Sequence, residues 1–237
     1  MSTILEAHDV CKNYGSVEAL KNFNLSVQEG TIFALLGPNG AGKTTFIKSI
    51  LGLVHIQKGS IQLFGQPHTQ REVRRSVGHL PEKFTFYPYY SVRGTLEFFC
   101  KLNGLAKALV PEAVLAAALD THIEDLLDKK LRTLSKGQLQ RVGLAAMLVG
   151  DKKLLILDEP FSGIDPIGIR DFKKLVVKLR DEKGKTIFLN SHILSEMEQV
   201  CDDFAILDKG ICLAQGHLTE ILGNTSLEEF FYHTVKV

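Results

Sequence analysis

Residues 37–44, Gly-Pro-Asn-Gly-Ala-Gly-Lys-Thr, have the residue types and spacing of a phosphate-binding loop, GxxxxGK[ST]. Glycines let such a loop turn so that successive backbone N–H groups face one concavity, and the helix expected from Lys43 adds the positive end of its dipole. Lys43 can reach the β- and γ-phosphates of a nucleotide, and the Thr44 hydroxyl can ligate Mg²⁺. The predicted phosphate contacts are Gly37, Asn39, Gly40, Ala41, Gly42, Lys43, Thr44 and Thr45.

Two carboxylates follow an apolar run further along the chain. Residues 154–157 read Leu-Leu-Ile-Leu, and Asp158 and Glu159 come next. Acids at the end of a core strand are costly to bury unless a cation or hydrogen bonds compensate them. Asp158 is placed to hold Mg²⁺, directly or through water, and Glu159 to accept a proton from the water that attacks the γ-phosphate. An isolated pair of this kind is typical of a solvated strand end, but the phosphate-binding loop in the same chain favours catalysis.

Alternating strands and helices must position these residues. Asp165 and Pro166 are predicted to start a helix as its cap and first residue, and Gly184 to end it. A hairpin is expected around the turn at residues 208–210. Strands that alternate with helices predict an α/β fold with a mainly parallel sheet. The predicted strands are short apolar or alternating runs at 5–10, 24–27, 31–36, 59–65, 153–157, 186–189 and 204–213.

Residues from about 82 to 147 lack a convincing strand and predict several helices in succession. Ser91 is predicted to cap the first of them, and Pro111 to open the second. Thr121 and Glu124 match a capping box for a third. The segment is therefore predicted to be a helical subdomain inserted into the α/β core.

Length and composition restrict the class of protein. A chain of 237 residues favours one domain with a possible insertion, and 28 basic against 27 acidic residues give a net charge of +1. This balance offers no electrostatic case for binding nucleic acid. No apolar run approaches the ~20 residues that span a bilayer, and the N-terminus does not resemble a secretory leader. Four scattered cysteines favour reduced thiols in a reducing compartment.

Residues 134–138, Leu-Ser-Lys-Gly-Gln, complete a pattern. Taken alone, they predict a helix N-terminus capped by Ser135. Placed between the phosphate-binding loop and the acidic strand end, they make the chain resemble the nucleotide-binding subunit of an ABC transporter, from Tyr14 to about His217. The resemblance implies a P-loop ATPase core that uses ATP and Mg²⁺, with an N-terminal antiparallel β subdomain and an inserted helical subdomain. It implies one nucleotide-binding domain over 1–237: core about 1–81 and 148–217, helical subdomain about 82–147, and a C-terminal extension at 218–237.

The resemblance also implies roles for further residues. Tyr14 would stack on adenine, although a packed tyrosine at a strand end is the alternative. His192 would contact the γ-phosphate and join Lys43 and Glu159 in catalysis. Residues 162–165, Ser-Gly-Ile-Asp, would cross a dimer interface, a role compatible with helix capping by the aspartate. Three residues would reach the nucleotide held by the opposite copy in a head-to-tail dimer, namely Ser135, Gly137 and Gln138.

Glu82 departs from the commonest pattern of the family. The segment Gly78-His79-Leu80-Pro81-Glu82 joins the core to the helical insert, where the family typically places Gln as a ligand near Mg²⁺ and the attacking water. A glutamate still offers an oxygen to Mg²⁺, but it adds negative charge beside the γ-phosphate. We therefore expect a metal ligand with altered Mg²⁺ dependence at this position.

Two further segments carry weaker signals. Five aromatic residues fall within residues 84–90: Phe84, Phe86, Tyr87, Tyr89 and Tyr90. They favour either packing of the helical insert or a groove that receives a short helix of a membrane subunit. Residues 226–231 resemble the tail of members that serve export-type (ABC-2) membrane subunits, and an amphipathic terminal helix on the core is the alternative.

The resemblance implies an ATPase that powers a separate membrane transporter. Export is favoured because about twenty residues after Gly216 leave no room for the regulatory domain that importer subunits often carry. An importer subunit is the alternative, followed by a non-transport ABC-type ATPase. The implied partners are transmembrane permease subunits and a second ATPase copy, in an ATP-dependent homodimer or a heterodimer with a related subunit, without nucleic acid. The expected location is cytoplasmic, peripheral on the cytoplasmic face of the cell membrane.

Overall fold

The computed structural model describes residues 2–235. Met1 and residues 236–237, the ends of the predicted domain, lie outside the described residues. The strands are β1 (Thr3–Tyr14), β2 (Val17–Gln28), β3 (Ile32–Leu36), β4 (Lys58–Leu63), β5 (Gln66–Pro67), β6 (Val77–Leu80), β7 (Leu154–Asp158), β8 (Thr186–Asn190), β9 (Asp203–Asp208) and β10 (Ile211–His217). The helices are α1 (Lys43–Ile50), α2 (Arg71–Arg75), α3 (Val92–Leu102), α4 (Val110–Asp120), α5 (Lys136–Leu148), α6 (Pro166–Lys183), α7 (Leu194–Glu198), α8 (Leu218–Leu222) and α9 (Leu227–Val235).

A six-stranded sheet in the order β10-β9-β3-β8-β7-β6 forms the centre of the fold. Neighbouring strands from β9 to β6 are parallel, and the predicted hairpin adds β10 antiparallel to β9. Every residue of β3, β7 and β8 is buried, as expected for apolar strands covered on both faces. The prediction of an α/β fold with a mainly parallel sheet is confirmed.

A four-stranded antiparallel sheet, β2-β1-β4-β5, contains the N-terminal segment. Strands β1 and β2 each span 12 residues, whereas the predicted strands covered only 5–10 and 24–27. Their register shifts between Ala7 and Val10, where Asp9 has a φ of 48°. Such a bulge interrupts the alternation of polar and apolar side chains, and this interruption made the strands look short in the sequence.

Hydrophobic cores cover both faces of the six-stranded sheet. Alternate residues of β7 point to opposite faces, so Ile156 belongs to the core shared with α1 and the four-stranded sheet, and Leu157 to the core shared with α6 and α9. Helix α5 contributes Leu144 and Met147 to that second core. It also contributes to a third core among the helices of the insert, through residues such as Val142 and Ala145.

The segment between β6 and β7 is helical, as predicted, but one local prediction is wrong. The Ser91 hydroxyl accepts a hydrogen bond from the Gly94 N–H at 3.1 Å and caps α3 as expected. Thr121, in contrast, ends α4, and its buried hydroxyl donates to the Ala117 carbonyl at 2.8 Å. Residues 124–126 form a single 3₁₀ turn. The buried hydroxyl bonds back to the preceding helix, so it is not available to cap a following one.

The tail beyond β10 forms a terminal helix, the amphipathic alternative considered above. In α9, Leu227 and Phe231 are buried in the core beneath the six-stranded sheet, whereas Glu228 and Tyr232 are exposed. Within residues 2–235, the helices are too short or too polar to cross a membrane.

Candidate nucleotide-binding site

The carboxyl ends of β3, β7 and β8 meet at one edge of the six-stranded sheet, and a cavity of about 240 Å³ opens there. The carboxyl edge of a parallel sheet is where α/β proteins commonly bind ligands. The cavity brings together most of the predicted site residues: Asn39, Gly40, Ala41, Gly42, Lys43, Thr44, Thr45, Glu82, Asp158 and Glu159. It is also lined by Asn190 and by residues 17–19 of β2, which the sequence had not indicated.

Glycines at both ends of the loop permit a close approach to neighbouring backbone. A Cβ atom on Gly37 would lie 2.1 Å from the Leu207 carbonyl oxygen, and one on Gly42, with a φ of 116°, would lie 2.4 Å from the Ala19 carbonyl oxygen. Both positions therefore exclude a side chain on steric grounds. The loop is held between β9 and β2, and residues 39–45 line the cavity.

Lys43 lies at the start of α1 and is only 8% exposed. Its ammonium donates to the carbonyl oxygens of Gly37 at 2.6 Å and Pro38 at 3.1 Å, across the loop that it follows. Burial lowers the pKa of this ammonium, and the nearby carboxylates of Glu159 and Asp158 act in the opposite direction. The charge is thus held inside the loop by two carbonyl oxygens, close to where a phosphate would be bound.

Asp158 ends β7 and is 9% exposed. In the register of the sheet it stands opposite Asn190, the last residue of β8. The Asn190 amide N–H donates to the Asp158 carboxylate and fixes its orientation. Asn190 is a site residue that the sequence analysis missed, and the available signal was a polar residue directly after the apolar run at 186–189.

Glu159 follows with an unusual backbone, since its φ of 49° is rare for a residue other than glycine. Such strained conformations concentrate at functional sites. Its Oε2 lies 2.9 Å from Nδ1 of His192, whose side chain is 61% exposed against 13% for Glu159. That contact lacks hydrogen-bond geometry, and within residues 2–235 the buried Oε2 has no hydrogen-bond partner. The Glu159 side chain therefore lines the cavity with one carboxylate oxygen buried beside His192.

The donor atoms around the cavity fit a magnesium ion. Thr44, Asp158 and Glu82 all line it and offer oxygen atoms. Mg²⁺ prefers oxygen ligands and is usually held in proteins by one or two carboxylates together with substrate phosphates. The arrangement can therefore accept the ion only with a phosphate-bearing ligand beside it.

The predicted residues of the segment 134–138 lie elsewhere. Ser135 caps α5, with its hydroxyl accepting from the Gln138 N–H at 3.3 Å and its own N–H donating to Gln138 Oε1 at 2.9 Å. A Cβ atom on Gly137 would lie 3.4 Å from Ile164, so this helix start packs against the segment 162–165. Asp165 in that segment caps α6 by accepting from the Gly168 N–H at 2.9 Å.

Tyr14 and His192 stand at the margins of the cavity. Tyr14 ends β1, is 47% exposed and pairs in register with Val17, which lines the cavity. The Lys12 ammonium lies 4.9 Å from the centre of the Tyr14 ring. His192 and Gly37 line a neighbouring cavity instead. The structure therefore brings His192 to Glu159 but leaves Tyr14 with one face available.

The aromatic cluster divides between its two interpretations. The rings of Phe84 and Phe86 are half-buried and lie 5.2 Å apart, and Phe86 packs on Phe99 of α3. Three tyrosines are largely exposed, namely Tyr87, Tyr89 and Tyr90. Phe86 therefore packs the core of the insert and Phe84 the core shared with α6, whereas the tyrosines form an aromatic surface.

Known proteins resemble this chain in sequence and in structure. The chain is 40% identical to an uncharacterized ABC transporter ATP-binding protein of Synechocystis, over 94% of this chain and 65% of that relative's length. It is 36% identical to the Nod factor export ATP-binding protein I of Cupriavidus metallidurans, over 94% of this chain and 74% of that one. The structure of cbiO1 from Clostridium perfringens, part of the ABC transporter complex cbiONQ, superposes with a TM-score of 0.87 at 31% identity, covering 94% and 92% of the two chains.

These similarities agree with the order of elements and with the P-loop ATPase core that the sequence predicted. The chain spans about two thirds of the length of the first of these relatives. The family model described as "ABC transporter" matches residues 20–162, more than half of the sequence. The chain therefore belongs to the ABC transporter family.

Proposed function

We propose that the chain is an ATP-binding and hydrolysing subunit that powers a separate membrane transporter. The observation that carries this proposal is a single cavity lined by the phosphate-binding loop, Asp158, Glu159 and Glu82. A nucleoside triphosphate supplies the negative charge that Lys43 and the backbone N–H groups of such a loop can neutralise.

Each residue has a defined role in the proposed hydrolysis. Thr44, Asp158 and Glu82 would hold Mg²⁺, whose charge stabilises the phosphates as the bond to the γ-phosphate breaks. Glu159 would accept the proton of the attacking water through its carboxylate, which lines the cavity. His192, 2.9 Å from Glu159, would orient that carboxylate and contact the γ-phosphate.

The placement of the segment 134–138 supports a head-to-tail dimer. Ser135, Gly137 and Gln138 lie outside the cavity of their own chain, so they would complete the site of a second copy. The segment 162–165 packs beside Gly137 and would lie in the same interface. Tyr14, with an exposed ring beside the cavity, would stack on the adenine base.

A transmembrane permease is the proposed membrane partner, with the chain on the cytoplasmic face of the cell membrane. A largely apolar cavity of about 370 Å³ lies within the proposed helical subdomain, about 82–147, and its walls include Phe84, Phe86 and Leu139. The exposed tyrosines of the aromatic cluster extend this surface. A groove of this kind suits a short amphipathic helix. Export is the favoured direction because a relative at 36% identity is named for export.

Substitution of the proposed general base tests the assignment. Glu159→Gln removes the proton acceptor but leaves Lys43 and the loop amides to hold phosphate, so steady-state ATP hydrolysis should fall at least about 100-fold with ATP binding retained. The variant should also collect as an ATP-bound dimer in gel filtration with Mg-ATP. The control is Glu112→Gln, an exposed carboxylate of α4, which should hydrolyse ATP normally. Normal turnover by Glu159→Gln, or a monomer at saturating ATP, contradicts the proposal.

A further inference from the structure

A second cavity, of about 280 Å³, lies between the phosphate-binding loop and the terminal helix α9. Three parts of the chain form its walls: Pro38 and Asn39 of the loop, His192 and Leu194 after β8, and Phe231 and Tyr232 of α9. Asn39 also lines the nucleotide cavity. Asn39 therefore lies between the proposed phosphate site and the cavity beside the terminal helix.

The terminal helix is fixed firmly to the core at its first turns. Leu227 and Phe231 are buried, and the ring of Phe230 packs edge-on against Phe204 of β9 with 5.9 Å between ring centres. The Leu227 N–H donates to Oε2 of Glu198 at 3.0 Å. A carboxylate at a helix N-terminus also interacts favourably with the helix dipole.

Glu198 belongs to α7, the short helix that follows His192. The Lys173 ammonium of α6 contacts Glu196 of α7 and donates to Gln199, the residue after Glu198. The segment that carries His192 is thus braced by α6 and by α9. The His192 side chain reaches from this braced segment to Glu159.

From this arrangement we infer that α9 is a positioning element of the nucleotide site, with Phe231 and Tyr232 setting the His192 segment against the phosphate-binding loop. The inference rests on the proposed function, because it concerns the same ATP site. When ATP binds, the Lys43 ammonium that now contacts Gly37 and Pro38 faces a phosphate, and the loop residues beside Tyr232 change their environment. The state of the nucleotide site is thereby communicated to α9.

Intrinsic fluorescence can test this communication, since the chain contains no tryptophan. Tyr232→Trp places one indole at the cavity, where the native ring is already 49% exposed and leaves room for it. His233→Trp places an indole at the next position, which is exposed and outside the cavity. We expect Mg-ATP to shift the emission of Tyr232→Trp saturably, with the dissociation constant found by equilibrium dialysis, and to leave His233→Trp unchanged.

Equilibrium dialysis distinguishes a failure of the proposed ATP-binding function from a failure of the inference about α9. If neither variant nor the unmodified protein binds ATP, the proposed function fails. If ATP binds in dialysis but the Tyr232→Trp emission is constant, or if both indoles respond equally, the role of α9 is refuted and the ATP site stands.

A kinetic comparison tests positioning itself. Tyr232→Ala should lower kcat for ATP by about three- to tenfold, because a loosened His192 segment reaches its productive position less often, with the ATP dissociation constant within about twofold. Tyr232→Phe should restore kcat, and His233→Ala should be normal. Thermal unfolding confirms that the variants are folded. Equal kcat values for Tyr232→Ala and His233→Ala overturn the inference.

Discussion

The Lys43 ammonium illustrates how a single charge is prepared for its ligand. It is buried, and two carbonyl oxygens of the loop satisfy it. A buried charge is tolerated only with such partners, and a bound phosphate would provide a stronger, oppositely charged one. The loop therefore keeps the cation at the site without committing it to a carboxylate.

Lys43→Ala should remove most of the affinity for ATP. A hydrogen bond to a charged group is worth roughly 1.5–3 kcal/mol, and ~1.4 kcal/mol corresponds to tenfold in affinity, so the dissociation constant should rise at least about tenfold. The control is Lys48→Ala, an exposed lysine of the same helix. Nucleotide titration that finds the two variants within about threefold of each other would disprove the assignment.

Site residues in contiguous motifs were predictable from the sequence, and those brought in by the sheet were not. Lys43, Asp158 and Glu159 belong to short patterns whose order along the chain is itself informative. Asn190 reaches Asp158 only because β7 and β8 are paired in register. That pairing joins residues 32 positions apart, and a single sequence does not contain it.

At the scale of elements, buried strands and capped helices followed from local patterns, whereas bulged strands did not. The helix from Pro166 to Lys183 begins at a capping aspartate and ends at Gly184, whose φ is 60°, as predicted. The bulge at Asp9 broke the alternation of β1, and the back-bonded Thr121 imitated a capping box. Strand pairing decided the structure at Asp9, and burial of the hydroxyl decided it at Thr121.

The segment after β6 carries the element-scale prediction about magnesium. Glu82 lines the nucleotide cavity and also the apolar cavity of the helical insert. Its carboxylate attracts the metal but repels the γ-phosphate, so Glu82→Gln should keep hydrolysis and shift the half-saturating Mg²⁺ concentration several-fold upward. Titration of ATPase activity with Mg²⁺ measures this, and an unchanged titration curve would remove Glu82 from the metal site.

Glu82→Ala probes the link to the insert. We expect it to lower hydrolysis more in a preparation with the membrane subunits than in the isolated chain, because both cavities share this residue. Equal losses in the two preparations would leave Glu82 as a metal ligand without a coupling role.

Two helix caps of the same chemistry allow stability to be separated from function. Ser91 caps α3 and Ser135 caps α5, each accepting a backbone hydrogen bond. Alanine at either position should cost about 1 kcal/mol of unfolding free energy in denaturant titration. Only Ser135→Ala should also weaken ATP-dependent dimerisation, measured by light scattering in the Glu159→Gln background. Equal dimerisation by the two variants would argue against the proposed interface.

At the scale of the whole molecule, the proposed head-to-tail dimer requires one chain to carry two halves of different sites. The phosphate-binding loop and Glu159 line the nucleotide cavity, whereas Ser135 lies at the start of α5 in the helical insert. The resemblance to ABC transporter subunits implies this division, and it stays a prediction. The sequence could not predict how α9 returns to the loop, since the side chains of α9 meet their partners only in the folded core.

Helix α5 connects two hydrophobic cores of the molecule. Its 13 residues extend about 20 Å from Ser135, and its side chains are shared between the core of the insert and the core of the six-stranded sheet. Residues that contact the two cores alternate over 142–149, so this part of α5 ties the insert to the core of the sheet. A displacement of Ser135 would therefore reach both cores together, through residues such as Val142 and Leu144. Cavity-forming substitutions at Leu144 and Met147 would loosen this tie to the sheet without changing Ser135.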